Sequence, residues 1–295
     1  MSNSALSPDR LAFSVACLAG YTLEEAGRIG HQLGFAGVEF TAFAGYRHSQ
    51  GDLAGFYFER LSKEEREHLR DLAGSFSFVT LHAPFFEIPL LSPNPALNEV
   101  AVQQLESAIE AGAYLGAATV TTHASEKITY TLEESWPELL ALYRHLGDLA
   151  ARGGLTVTIE TIFPRQIETF ARLIHEIDHP AVGANVDVGH LTHLVPRELV
   201  GSEEGAAYYN DLLEEHLRSL GPKLYHFHLH DARMDDLRDH RACGRGIIDY
   251  ARLLRTAAEM GYEGFYAFEL EEPDKVEALA ESKRVIEGAM AQAMH

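Results

Sequence analysis

The chain has 295 residues, of which 46% are hydrophobic, so it can build one large core. Its 24 lysines and arginines stand against 44 aspartates and glutamates, and the net charge of −20 argues against a protein that holds nucleic acid by neutralising phosphates. No apolar run reaches the roughly 18 residues of a membrane helix, Met1–Arg10 lacks a signal-peptide pattern, and the two cysteines, Cys17 and Cys243, suit a reducing environment, so we expect a cytoplasmic protein.

Short runs rich in β-branched and aromatic residues alternate with amphipathic helical stretches. We predict eight strands near Leu11–Leu18, Gly37–Thr41, Phe78–His82, Thr119–His123, Thr156–Thr161, Val182–Asp187, Leu224–His230 and Gly264–Leu270. Helices are predicted near Leu23–Leu33, Lys63–Gly74, Ala96–Leu115, Glu133–Ala151, Ile167–Ile177, Gly205–Leu220, Tyr250–Met260 and Lys275–Ala293. This alternation predicts α/β architecture, a (β/α)₈ TIM barrel that forms a single domain over residues 1–295.

Four longer irregular segments each follow a predicted strand, at residues 42–60, 84–98, 190–203 and 231–248. They therefore belong to the face of the barrel where the carboxyl ends of the strands meet. Barrel enzymes build their sites on that face, so we expect the functional residues there.

Strand parity predicts which side chains enter the barrel. One face of each strand contacts helices and is apolar, whereas the other faces the lumen and carries chemistry at its carboxyl end. In the seventh strand His226, His228 and His230 alternate with apolar residues. The same parity places six further ionisable side chains inward, namely Glu39, His82, His123, Glu160, Asp187 and Glu269. Because buried carboxylates are costly unless paired or ligated, this convergence predicts a shared divalent cation.

These motifs, in their order along the chain, resemble the xylose isomerase-like TIM barrel superfamily. That superfamily includes ketose 3-epimerases, inosose dehydratases, hydroxypyruvate isomerases and the endonuclease IV group. The matching pieces are Gly37–Phe40, Leu81–Pro84, Thr122–His123, Ile159–Thr161, Asp187–His190, His228–Asp231, Gly244–Ile247 and Phe268–Leu270. The resemblance implies a metal ion held by Glu160, Asp187, His228 and Glu269. It also implies that the two glutamates form the acid–base pair and that His190 and Arg233 contact the substrate.

The expected chemistry follows from this ligand set. Three carboxylates and one imidazole suit Mn²⁺, Mg²⁺ or Co²⁺, and additional histidines would favour Zn²⁺. We therefore expect a divalent-metal-dependent isomerase or epimerase of a sugar, sugar phosphate or polyol, in which Glu160 and Glu269 move protons through a metal-stabilised enediolate. The expected partner is a small carbohydrate, without nucleic acid or membrane, and the resemblance also implies a homo-oligomer.

Two other activities stay open. Four histidines, His82, His123, His190 and His240, stand where the endonuclease IV group has metal ligands, which leaves room for a second metal ion or a substrate contact. A phosphodiester hydrolase acting on damaged DNA is thus one alternative, although Arg238 occupies the position of an aspartate in that group. The other alternative is an inosose dehydratase-like lyase.

Several further residues have two interpretations each. Glu39 could orient a ligand or pair with a neighbouring cation, and His230 could orient a ligand, whereas His226 is expected to be a core histidine. Phe85 and Phe86 could cover a substrate or pack together. Arg241 and Arg245 could bind a phosphate or carboxylate, or be solvated loop charges.

Overall fold

In a computed structural model, which describes residues 6–48 and 50–294, eight parallel strands form a closed barrel. In chain order they are β1 Leu11–Ser14, β2 Gly37–Thr41, β3 Phe78–His82, β4 Thr119–Thr122, β5 Thr156–Glu160, β6 Val182–Asp187, β7 Leu224–Leu229 and β8 Phe265–Phe268. Each strand pairs with its chain neighbours, and β1 closes the barrel by pairing with β8, with Phe13 opposite Phe268. The predicted (β/α)₈ TIM barrel is confirmed.

Eight helices surround the barrel. They are α1 Leu23–Gln32, α2 Lys63–Ala73, α3 Pro95–Leu115, α4 Leu132–Gly153, α5 Ile167–Ile177, α6 Glu203–Leu220, α7 Tyr250–Glu259 and α8 Lys275–Ala293. Helices α1, α2 and α4 begin at capping boxes on Thr22, Ser62 and Thr131, whose side chains accept the backbone N–H of a glutamate three residues on. Within the described ranges, none of the helices is both long and apolar enough to cross a membrane.

Most predicted boundaries agree with the structure to within two residues, and the first strand is the main exception. Strand β1 ends at Ser14, and a 3₁₀ helix covers Val15–Leu18, where a longer strand was predicted. The Ser14 side chain accepts the N–H of Ala16 and so turns the chain away from the sheet. A small antiparallel pair, Arg47–His48 with Gly51–Asp52, was not predicted. Residues 1–5, 49 and 295 of the predicted domain, and with them half of Met1–Arg10, lie outside the described residues.

The two faces of the strands differ as parity requires. Val38, Leu81 and Phe227 alternate with inward residues and are fully buried in the layer between strands and helices. The lumen is polar, and a row of buried side chains crosses it below the carboxyl ends of the strands. There the hydroxyls of Thr121 and Thr158 lie 3.0 Å apart. Polar side chains therefore line the lumen as far as the carboxyl ends of the strands, where the candidate site lies.

Candidate metal centre

Four strands bring their terminal acidic and imidazole groups to one point. Glu160 ends β5, Asp187 ends β6, His228 lies on β7, and Glu269 directly follows β8. One ligand atom from each of these side chains lies within 4.8 Å of the others. His228 Nδ1 is 2.8 Å from Glu269 Oε2 and 3.2 Å from Glu160 Oε2. The structure thus brings together the four residues that the sequence proposed as ligands of one ion.

The carboxylates and imidazoles of this cluster shift one another's pKa values. Burial opposes ionisation of Glu160, but the charges of His123 and His228 outweigh it and hold the pKa of that carboxyl well below its usual value. Burial likewise opposes ionisation of Glu269, and His228 again lowers its pKa. The surrounding carboxylates, Glu39 first, raise the pKa of His228 well above its usual value against the opposing effect of burial. Both glutamates are therefore ionised at neutral pH.

The cluster has the donor atoms and spacing that a divalent cation requires. His228 Nδ1 is buried and has no hydrogen-bond partner among the described residues, although three carboxylates surround it. Adjacent ligands of an octahedral Mg²⁺, with bonds of about 2.1 Å, lie about 3.0 Å apart. His228 Nδ1 lies at similar distances, 2.8 and 3.2 Å, from Glu269 Oε2 and Glu160 Oε2. Three carboxylate oxygens and one imidazole nitrogen therefore fit one divalent ion.

Glu39 supports His228 from beneath. Its Oε1 lies 3.2 Å from His228 Nε2, on the side of the ring opposite the cluster. Its Oε2 accepts hydrogen bonds from Thr80 Oγ1 at 3.0 Å and from His226 Nε2 at 3.1 Å. All four side chains are fully buried. Glu39, for which the sequence offered ligand orientation as one interpretation, is thus placed to orient a candidate ligand, as outer carboxylates do for metal-bound histidines. His226, predicted to be a core histidine, is buried and holds Glu39.

The four additional histidines form two pairs, one beside Glu160 and the other beside Asp187. His82 Nε2 and His123 Nε2 lie 3.2 and 3.3 Å from Glu160 Oε2. His190 and His240 instead face one another across 3.4 Å beside Asp187. Burial opposes protonation of His190, but Asp187 and Glu160 outweigh it and raise its pKa to about 10.

A second group of possible ligands forms around Asp187. His230 Nε2 donates to both oxygens of Asp187, at 2.7 and 2.8 Å, and together with His190 and His240 it completes the group. The sequence left the role of His230 open, although its inward parity was the available signal. Arg238, which replaces the expected aspartate, is exposed and lies 4.0 Å from Glu271. The second group of possible ligands therefore contains the imidazole of His230 and lacks the aspartate that the endonuclease IV group would place there.

A cavity of about 290 Å³ opens above the cluster. Its lining contains Glu160 and Glu269 together with all four additional histidines, and the remaining side chains form a largely apolar wall. That apolar wall includes Phe43, Phe85 and Phe86, with ring centroids of Phe85 and Phe86 3.9 Å apart. The two phenylalanines therefore pack together and also line the cavity, and their role as a cover for substrate stays a prediction.

The structure does not bring the predicted arginines to this cavity. Arg233 was expected to contact substrate, but its guanidinium is paired with Asp236 of its own loop and does not line the cavity. Arg241 is paired with Glu272 at 3.2 Å, and Arg245 with Asp274 and Glu281. The loop after β7 therefore uses these cations to hold itself and α8. In contrast, Leu53, Ile162 and Glu271 line the cavity without having been predicted, since loop residues carry no strand parity.

Comparisons with known proteins support the same architecture. An uncharacterized protein of Methanocaldococcus jannaschii is 24% identical over 221 residues, which cover 71% of this chain and 70% of that protein. An inosose dehydratase of Bacillus licheniformis is 25% identical over 167 residues, and the match spans about half of each chain, 49% and 50%. A second inosose dehydratase, of Geobacillus thermodenitrificans, is 27% identical over 159 residues and 48% of each chain.

Solved structures share the barrel at low sequence identity. An L-ribulose 3-epimerase superposes with a TM-score of 0.71 at 15% identity, covering 97% of this chain and 95% of that one. A xylose isomerase-like TIM barrel protein of Mycobacterium smegmatis, in complex with magnesium, gives 0.69 at 17% identity over the whole of both chains. At these identities the likeness establishes the fold. A family model described as a xylose isomerase-like TIM barrel matches residues 28–289, and the chain belongs to that family.

Proposed function

We propose that this protein is a divalent-metal-dependent epimerase or isomerase of a small sugar, with Glu160 and Glu269 as the proton-transferring residues. The observation that carries the proposal is the convergence of both carboxylates on His228 Nδ1, at 3.2 and 2.8 Å, beside a cavity of about 290 Å³ that both glutamates line. Because the two glutamates come from β5 and β8, they approach this point from different strands and can address different faces of a substrate.

Glu160, Asp187, His228 and Glu269 would hold the ion, and when bound it supplies Lewis-acid polarisation of the substrate carbonyl. One glutamate, being ionised, takes the proton from the carbon next to that carbonyl, and the electron pair moves onto the carbonyl oxygen. The other carboxyl group, protonated from substrate hydroxyl or water, returns a proton to the opposite face or to the neighbouring carbon. The carbon is thereby inverted, or the carbonyl is moved.

The other residues of the cluster orient these groups. His82 and His123 hold Glu160, and Glu39 holds His228. His190 lies 3.2 Å from Glu160 Oε1 and also lines the cavity, and both observations support the substrate contact that we propose for it. Manganese, magnesium, cobalt and zinc all remain candidates for the ion, because the mixed oxygen and nitrogen donors suit each of them.

A second candidate is supported by the similarity to inosose dehydratases. A dehydratase would begin with the same abstraction of a proton next to a carbonyl, but it would then expel a neighbouring hydroxyl as water. The endonuclease-like alternative draws support from the histidines around Glu160 and Asp187. The net charge of −20 and the position of Arg238 oppose it.

Proton exchange at carbon is the direct test. Mn²⁺-loaded protein is incubated with a panel of ketoses and with an inosose in deuterium oxide, and products are analysed by mass spectrometry and NMR. We expect carbon-bound deuterium in an isomeric product, loss of the activity with EDTA, and a decrease of about 10²- to 10⁴-fold in Glu160→Gln and in Glu269→Gln.

Three outcomes separate the candidates. A product lighter by one water would support the dehydratase. Incision of abasic-site DNA by the same preparation would support the hydrolase. Full exchange activity in both glutamine variants would refute the proton-transfer roles, whereas the exposed Glu126→Gln is the matched control and should leave activity unchanged.

A further inference from the structure

The lining of the cavity has two unlike parts. The acid and histidine cluster forms one part, and Phe43, Phe85 and Phe86 form an aromatic wall next to that cluster. The ring of Phe85 stacks on that of His123 at an angle of 26°, with centroids 4.4 Å apart, and Phe43 meets Phe85 edge-on at 5.4 Å. The aromatic wall therefore begins directly beside the cluster. A molecule bound to the cluster would lie with its remote end on these rings.

Among the described residues, the lining side chains include no lysine or arginine to receive an anionic substituent, and the imidazoles of the lining belong to the acid and histidine cluster. Glu271 adds a carboxylate to the lining. Cationic side chains of the adjacent loops are already engaged with acids, in the pairs Lys127–Glu138, Arg233–Asp236, Arg241–Glu272 and Arg245–Glu281. Glu271 itself lies 3.9 Å from Arg241 and 4.0 Å from Arg238. A phosphate or carboxylate at the remote end would thus meet aromatic rings and no lysine or arginine of the described lining.

Donors for remote hydroxyl groups are also scarce. Apart from the cluster and Glu271, Thr41 is the one lining residue of the described chain with a polar side chain, and its hydroxyl already donates to the backbone oxygen of Ala54. A hydroxyl group pressed against Phe86 would lose its water without gaining a partner. The remaining lining side chains, such as Leu53 and Ile162, are apolar. The wall is suited to C–H groups.

Resting on the proposed function, we propose that the substrate is small, uncharged and without phosphate or carboxylate, and that its end remote from the carbonyl is deoxy, a methyl group against Phe85 and Phe86. The volume of about 290 Å³ lies at the lower limit of ligand pockets, which run from about 300 to 1,000 Å³, so the bound molecule is of monosaccharide size.

The test compares binding rather than turnover. Dissociation constants are measured by titration calorimetry on the Mn²⁺-loaded protein for ketohexoses, their 6-deoxy forms and their 6-phosphates. We expect the 6-phosphates to bind about tenfold or more weakly than the parent sugars, and the 6-deoxy forms to bind about tenfold more tightly, within the range that one group in an apolar pocket contributes. A 6-phosphate that binds more tightly than its parent, or a 6-deoxy form that binds more weakly, would overturn the inference.

Matched variants assign the effect to the cavity. Ile162 lines it and is 37% exposed, whereas Ile128 is 68% exposed in another loop at the same end of the barrel and does not line it. We expect Ile162→Arg to reduce the penalty against 6-phosphates at least threefold relative to Ile128→Arg, although both change the net charge equally. An equal effect in both would mean that the overall charge, not the cavity, excludes phosphate, and would overturn the assignment.

The aromatic wall has its own variant. Phe86 is partly exposed, so Phe86→Ala is expected to fold and to lose the preference for the 6-deoxy forms. An unchanged preference for the 6-deoxy forms in Phe86→Ala would show that the aromatic wall does not cause that preference. Tight phosphate binding with intact deuterium exchange would refute this inference alone, whereas absence of exchange with every sugar would refute the proposed function.

Discussion

Replacing Glu39 by glutamine tests whether the buried carboxylate beneath His228 prepares the metal centre. Glutamine has the same shape, so the cavity around it stays filled. It retains one oxygen to accept from His226 or His228, but it removes the negative charge that lies 3.1 and 3.2 Å from the two imidazoles. The side chain is fully buried, so water does not replace the lost interaction.

The size of the effect can be bounded from these distances. A full pair of unit charges 3.2 Å apart interacts by about 5 kcal/mol at an effective dielectric constant of about 20. A metal-bound imidazole keeps only part of this, as a strengthened hydrogen bond from its Nε2–H. Outer partners of metal-bound histidines contribute about 10- to 100-fold in metal affinity, or about 1.4 to 2.7 kcal/mol. We expect Glu39→Gln to weaken metal binding by that factor.

Titration of metal-free protein with Mn²⁺ in a calorimeter measures the change, and thermal unfolding of the metal-free variants shows that they are folded. Glu126→Gln, on an exposed position in the loop between β4 and α4, is the matched control and should bind Mn²⁺ as the natural chain does. An affinity of folded Glu39→Gln within about twofold of the natural chain would refute the reasoning, because the carboxylate would then contribute nothing through His228.

Three further predictions concern stability. Burial lowers the pKa of His216 to about 3, so unfolding takes up a proton, and stability that is complete above pH 6.5 is lost as the pH falls toward 3. Between pH 8 and 5 the free energy of unfolding should fall by about 2 kcal/mol from this group alone, and urea unfolding of His216→Phe should lack that part of the decrease. The same pH dependence in His216→Phe and the natural chain would contradict this prediction. Gly37→Ala places a methyl group 2.2 Å from the Phe78 ring and should cost about 1 to 3 kcal/mol, whereas Gly288→Ala, with open space around it, should stabilise α8 by about 0.5 to 1 kcal/mol in the same assay. Mn²⁺ at about 100 times its dissociation constant should stabilise the fold by about 2.7 kcal/mol, measured as a shift in Tm that Asp187→Asn diminishes; equal shifts would exclude Asp187 as a ligand.

The lining of the barrel could be predicted because the alternation of side chains is visible within each short strand of the sequence. Alternation in a parallel strand decides which side chains enter the lumen, and closure brings all lumen side chains together. Asp187 and His228 therefore meet as register partners although 41 positions separate them along the chain. No long-range information was needed beyond the count of strands.

The loop contributions could not be predicted in the same way. Arg233 follows the seventh strand closely, but Asp236, three residues on, pairs with it and turns it away from the cavity. Similarly, the apolar run after Ser14 is compatible with a strand or a helix, and the hydrogen bond from Ala16 to Ser14 decides it. Such outcomes depend on short-range competition between polar side chains, which neither periodicity nor parity reports.

The two candidate proton-transferring residues are not equivalent, and the difference bears on their roles. The Glu160 side chain is 2% exposed and is surrounded by His82, His123 and His190, whereas the Glu269 side chain is 18% exposed toward the cavity. A carboxylate held by three imidazoles is suited to fixed ligation, and one that is open to the cavity has the freedom to exchange a proton with substrate. Glu160→Gln should therefore reduce both the Mn²⁺ affinity and the rate of deuterium exchange. Glu269→Gln should reduce the rate of exchange but decrease the Mn²⁺ affinity less than Glu160→Gln does. The reverse order would mean that the more enclosed glutamate is the base, and that substrate enters deeper than the cavity indicates.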